Sequence, residues 1–155
     1  MDFFEMAFKR LDCNYLVVAY RCYSGSDKGP DGSPTPNQEG IMIDADAIAE
    51  YIEAEPRINK NKVFGHGRSL GGAVVCHLAA KQSRNKTPLF TGIVVESTFT
   101  SISDMADQLF SFLKHLGPIK QKMLKLKWEN LTQVPDITCP ILYISGSADT
   151  FVPTR

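Results

Sequence analysis

The chain has 155 residues, 43% of them hydrophobic, which suits one modest core or part of a larger one. Lys plus Arg and Asp plus Glu balance at 17 each, so no global field draws in nucleic acid or an anionic membrane, and small or neutral partners fit better. Cys13, Cys22, Cys76 and Cys139 are scattered without C-x-x-C or zinc-like spacing and read as free thiols in a reducing compartment; no signal peptide, bilayer-length apolar run or lipidation motif is found, so the chain as given reads as soluble.

In chain order, the first apolar run is "NYLVVAY", Asn14 to Tyr20, which predicts a strand. The Gly/Ser/Pro-rich stretch Ser24 to Pro34 predicts a loop. Beyond it Ile41, Ala45, Ile48 and Ile52 recur at helical spacing. Thr35 as N-cap, Pro36 at the first helical position and Gln38 three residues after the cap form a capping box, and Pro56 marks the stop. "KVFG" (Lys62 to Gly65), "GIVVES" (Gly92 to Ser97) and "PILYIS" (Pro140 to Ser145) predict three more strands, nearly continuous in hydrophobicity as parallel strands buried on both faces are. Helices are predicted over Leu70 to Ser83, Ser101 to His115 and Lys120 to Trp128. Strands separated by helices require right-handed crossovers and a parallel sheet in one α/β domain, with no repeat and no domain linker.

Chemistry concentrates in "VFGHGRSLGGAVV", Val63 to Val75. As a dinucleotide fingerprint it fails at the third glycine position, which holds Leu70, and as a Walker loop it fails because Arg68-Ser69 stands where Lys-Ser/Thr is needed. What fits is G-x-S-x-G, with Gly67, Ser69 and Gly71 where a strand turns sharply into a helix. In such a turn a strained backbone lifts the serine hydroxyl clear of the sheet, and Gly67 and Gly71 are expected to remove side chains that would collide there. Gly72 and Ala73 would let the helix lie close against the strands, and the Leu70 amide at the helix N-terminus is placed to donate to an oxyanion. The bland alternative is a structural Gly-Ser turn.

A nucleophilic serine needs a base and an orienting acid, in the chain order Ser, Asp or Glu, His. Asp149 follows the strand at Ile141 to Ile144 by a short turn, at the carboxyl end where open α/β sheets carry their chemistry. A turn-capping role is the alternative for Asp149. Glu96 at the end of the preceding strand is a rival acid, or else an inter-loop brace. His66, His77 and His115 all precede Asp149, and each reads as a structural histidine. No metal or cofactor is implied by any spacing.

"VVAYRCYSGSDKG", "VFGHGRSLGGAVVCHLAA" and "VVESTFTSISDMA" with "PILYISGSADTFVP" together resemble the α/β-hydrolase superfamily, and within it the membrane-anchored α/β-hydrolase-domain-containing proteins of the bud-emergence-like branch. The resemblance runs over essentially all of residues 1–155. It implies a partial α/β-hydrolase fold, a mostly parallel sheet with helices on both faces, lacking the N-terminal strands and the C-terminal strand. It also implies Ser69 as nucleophile and Asp149 as triad acid, with the histidine and a second oxyanion donor outside the chain. Cys22 and Ser24 depart from the family pattern, standing where glycines are usual. The strand at Asn14 to Tyr20 is expected to lack its natural neighbour.

The implied activity is serine hydrolysis of an acyl ester or thioester, with removal of a fatty acyl group from a lipidated protein as one form; the alternative is an inactive hydrolase-like fragment or a binding protein. The Lys-rich stretch "KHLGPIKQKMLKLKW" is a candidate for contact with a membrane surface, or else a solvated helix packed on its own core.

Overall fold

The computed structural model describes residues 3–29, 32, 35–109, 127–149 and 152. They fall into two units, Met1–Thr35 and Pro36–Arg155.

In the first unit a helix, α1, spans Phe3–Leu11, with Glu5 and Lys9 paired one turn apart at 2.6 Å. The strand expected at Asn14 to Tyr20 is not formed; the segment joins no sheet, and Leu16 and Val17 are exposed. Its apolar run is strand-like, but a strand exists only against a partner that takes up its backbone donors and acceptors. The chain then enters two tight turns, in which Tyr23 N–H donates to Tyr20 O at 3.0 Å and Ser26 N–H to Tyr23 O at 2.8 Å. Cys22 and Ser24 hold positive φ values of 66° and 47°. The backbone there keeps the left-handed shape that favours glycine even though the residues are not glycine.

In the second unit α2 spans Gln38–Ala54, followed by strand β1 at Phe64–Arg68, α3 at Leu70–Arg84, β2 at Gly92–Glu96 and α4 at Ile102–Leu109. A single turn, α5, at Asn130–Gln133 and strand β3 at Ile141–Ile144 follow. The predicted extension to His115 and the helix over Lys120 to Trp128 lie largely outside the described residues. The three strands run parallel in the order β1-β2-β3, with Arg68 opposite Glu96 and Glu96 opposite Ile144 at their carboxyl ends.

The cap of α2 differs from the prediction. Asn37 is the N-cap, its side chain accepting from Gly40 N–H at 2.7 Å, which displaces Thr35 and puts Pro36 ahead of the helix. Asparagine caps at least as well as threonine, so the later residue wins. Gln38 turns away from the cap altogether, and its Oε1 accepts from the backbone N–H groups of Lys127 and Trp128 at 2.7 and 3.1 Å. At α4, Ser101 Oγ accepts from Asp104 N–H at 2.9 Å, making Ser101 the cap rather than the first helical residue.

The core lies between α3 and the sheet. Cys76 and Ala79 of α3 pack on Ile93 and Val95 of β2, while Leu78 packs with Ala49 and Ile52 of α2 and with Leu89. Burial pushes the Cys76 thiol up to about 11. Lys81 reaches Asp46 at 2.7 Å and ties α3 to α2.

Within the second unit the crossovers between the described strands lie on the α3 side of the sheet. The strands advance in a single direction, and right-handed crossovers from β1 to β2 to β3 return on the same side each time. Phe64, Leu142 and Ile144 therefore remain exposed on the opposite face, Phe64 at 64%.

His77, on α3, meets buried Trp128 edge to face at 6.0 Å. Burial lowers its pKa below the ordinary 6.5; Asp46 and the Gln133 amide oppose the shift, and Lys81 and Arg84 add to it. A histidine that resists protonation when folded binds fewer protons than in the unfolded chain, so stability is lost as the pH falls through the ordinary histidine range. Thermal unfolding from pH 7.5 to 5 is expected to show a falling midpoint whose slope is reduced in His77→Phe. An unchanged slope would mean that His77 is not the responsible group.

Candidate active site

β1 ends in a backbone inversion. Arg68 is the last strand residue, Leu70 the first of α3, and Ser69 between them has φ 51° and ψ −119°, a region that residues with a side chain rarely occupy and that costs about 1–3 kcal/mol. Ser69 is exposed, and among the described residues nothing hydrogen-bonds its hydroxyl. Its backbone is held from two sides. The N–H donates to Glu96 O of β2 at 3.0 Å, and the carbonyl accepts from Gly72 N–H at 3.1 Å and from the Thr98 hydroxyl at 3.1 Å. The N–H groups of Leu70 and Gly71 open the first turn of α3 with no acceptor among the described residues. They are donors of the kind an oxyanion takes up.

The glycines divide differently from expectation. A Cβ on Gly67 would strike the backbone carbonyl of Gly71, and one on Gly72 would fall on the Thr98 hydroxyl. A Cβ on Gly71 meets nothing within 4 Å, so Gly71 relieves no collision through its own missing side chain. The helix backbone at Gly71 is what presses on Gly67, which locates the steric demand at 67 and 72.

β2 leaves the sheet as β1 does. Ser97 has φ 43°, and its N–H donates to Ile144 O of β3 at 2.8 Å, just as Ser69 N–H donates to Glu96 O. After β3, Asp149 N–H closes a turn on Gly146 O at 3.0 Å, and Asp149 Oδ1 accepts from Val152 N–H at 2.9 Å. Parallel strands bring Ser69 and Asp149 to one rim, on strands separated by β2.

Glu96 is committed elsewhere. Its two oxygens lie 3.5 Å from His66 Nε2 and 3.6 Å from Arg68 Nε, on the sheet face opposite α3. Both partners belong to β1 and neither to a loop, so its contacts tie β2 to the end of β1. His66 lies in that cluster, His77 packs on Trp128, and His115 lies outside the described residues. Among the described residues no three of His, Cys, Asp and Glu gather to hold a metal ion, and no helix is long and apolar enough to cross a membrane. Thr98 is a contributor to the elbow that the sequence motif does not single out; its signal is the second of two consecutive glycines, a missing side chain whose place a neighbour fills.

The chain is 32% identical to the alpha/beta hydrolase domain-containing protein WAV2 of Arabidopsis thaliana over 99% of its own length and 49% of that protein. It is 30% identical to protein bem46 of Schizosaccharomyces pombe over 94% of its length and 45% of that protein. It is also 30% identical to the lysophosphatidylserine lipase ABHD12 of Macaca fascicularis, over 79% of its length and 32% of that protein. No family model and no solved structure matches it. A strand–serine–helix elbow on a parallel sheet is the mark of an α/β hydrolase. The chain belongs to that superfamily, in the bud-emergence-like branch of the α/β-hydrolase-domain-containing proteins, and spans about half the length of the curated relatives it matches.

The steric division of the glycines is open to measurement. Gly67→Ala is expected to destabilise by about 3 kcal/mol or more, because the obstacle is backbone, and Gly72→Ala by about 1–3 kcal/mol, because a hydroxyl must move. Gly71→Ala, in open space on a helix, is expected to be neutral or to stabilise by about 0.5–1 kcal/mol. Urea denaturation of the three variants checks the order, and a Gly71→Ala loss as large as that of Gly67→Ala would refute it.

Proposed function

We propose that the protein is a serine hydrolase of acyl esters and thioesters in which Ser69 is the nucleophile and Asp149 the triad acid. The observation that carries this reading is the inverted backbone at Ser69, with its hydroxyl exposed on the rim that also bears Asp149. As the family resemblance implies, the histidine lies in a part of the full-length protein that this chain does not span; His66 meets Glu96 and His77 packs on Trp128. That histidine takes the Ser69 proton as the oxygen attacks the acyl carbonyl, while Asp149 orients it and stabilises its charged form. The oxyanion rests on the Leu70 amide and on a second donor outside the chain, each worth on the order of 3 kcal/mol. Collapse of the tetrahedral species breaks the acyl bond to oxygen or sulfur, and the imidazolium gives its proton to the departing alcohol or thiol. Water, deprotonated by the same histidine, then releases the acid and restores Ser69.

A lipid acyl group is the substrate class favoured here. The name of the lysophosphatidylserine lipase among the relatives supports it. A fatty thioester on a protein cysteine would be cleaved by the same steps. A membrane surface is the corresponding place of work, consistent with the Lys-rich stretch before Trp128.

The full-length protein that carries these residues is expected to react with a fluorophosphonate probe, with labelling abolished in Ser69→Ala. Asp149→Asn is expected to lower the labelling rate by about 10⁴-fold or to a comparable degree, as loss of the orienting carboxylate does in other triads. The isolated 155-residue chain should remain unlabelled. A full-length protein that is folded by circular dichroism yet unreactive would refute the enzyme and favour a hydrolase scaffold used for binding.

A further inference from the structure

We infer that Thr98 is a positioning residue of the elbow, its hydroxyl locking the carbonyl of Ser69 so that the nucleophile keeps its inverted backbone. Ser69 stands between two elements, and each backbone group needs a partner if the inversion is to persist. The N–H is taken by β2 through Glu96 O at 3.0 Å. On the carbonyl side the helix supplies Gly72 N–H at 3.1 Å and, at a long 3.4 Å, Ala73 N–H. A helix held by those bonds alone could carry the Ser69 carbonyl with it whenever its first turn frays. The Thr98 hydroxyl, donating to the same carbonyl at 3.1 Å, ties it instead to the chain that leaves β2. Its alternative acceptor, Glu96 O, is farther at 3.3 Å and belongs to the residue that holds the Ser69 N–H. Both backbone groups of Ser69 thus close on one short stretch, Glu96 to Thr98.

Three sequence features exist only together. Ser97, with φ 43°, turns the chain back so that Thr98 comes over the elbow. The Thr98 side chain occupies the volume that a Cβ on residue 72 would fill, with its own Cβ 2.9 Å from that point. Glycine at 72 therefore seats Thr98, and Thr98 in turn fixes Ser69. The hydroxyl does not reach the reacting atoms; it acts through the Ser69 backbone. The kinetic part of the test rests on the reading of Ser69 as nucleophile, but the geometric part does not.

The comparison is between Thr98→Val, which keeps the shape and removes the donor, and Thr98→Ser, which keeps the donor and removes the methyl. In the full-length protein carrying these residues, fluorophosphonate labelling of Ser69 is expected to slow about 10- to 100-fold in the valine variant and to return to within about threefold of wild type in the serine variant. In parallel, hydrogen exchange at the Ser69 amide is expected to quicken by about tenfold or more in the valine variant and not in the serine variant. Wild-type rates in the valine variant, or equal losses in both, overturn the inference. Should wild type fail to label at all, the proposed activity falls, while the exchange comparison still decides the clamp. If the valine variant does not fold, Thr98→Ala against Thr98→Ser gives the same comparison, and equal exchange in that pair also overturns it.

Discussion

The backbone inversion at Ser69 is the constraint on which the rest of the molecule is arranged. A residue with a side chain at φ 51° and ψ −119° is held against a cost of about 1–3 kcal/mol, and such a conformation persists only where its surroundings leave no alternative. Here β2 takes the amide, the first turn of α3 and Thr98 take the carbonyl, and missing side chains at 67 and 72 admit the contacts. Each contribution needs the others. Without the parallel register that sets Arg68 against Glu96, the Ser69 amide would have no carbonyl to meet. Without glycine at 67, the helix could not start so soon after the strand.

The same register explains why chemistry gathers at one edge. β1 and β2 both leave the sheet through a left-handed serine whose amide donates to the last carbonyl of the next strand, Ser69 to Glu96 and Ser97 to Ile144. This repeated exit turns both chains across the rim instead of letting them run on. The first exit leads directly into α3, with the positive end of a helix behind the serine. The second brings Thr98 over the first. The direction in which the strands advance puts every crossover on the α3 side, so the opposite face keeps Phe64, Leu142 and Ile144 in the open.

How much of this the sequence carried depends on whether the governing interaction was local. The strands at Gly92 and Ile141 and the helix from Leu70 are each specified by their own residues, and they appear within one or two positions of expectation. The elbow was legible because strand, glycine, serine and helix follow one another without a gap. Asn14 to Tyr20 was not, since its apolar run states a tendency to pair and only a neighbouring strand can satisfy it. The cap of α2 is not settled locally, because Thr35 and Asn37 are both good caps two residues apart and Gln38 is drawn off by the amides of Lys127 and Trp128 far along the chain. Gly71 and Gly72 could not be told apart in the sequence; only the position of Thr98 separates them.

Glu96 and Asp149 both lie toward the carboxyl ends of the strands, and their surroundings differ. Glu96 is a strand residue, so the alternation of the pleat fixes which face its side chain takes. Arg68 stands opposite it in register and His66 lies on the same face, and the glutamate is within 3.6 Å of both. Asp149 lies five positions past the end of β3, on a turn that its N–H closes on Gly146 O and that its Oδ1 caps by accepting from Val152 N–H. An acid that orients an imidazole standing over a strand end has to rise past that end as the serine does. A turn residue is freer to do so than an in-register strand residue, which supports the proposal that Asp149, rather than Glu96, orients the imidazole.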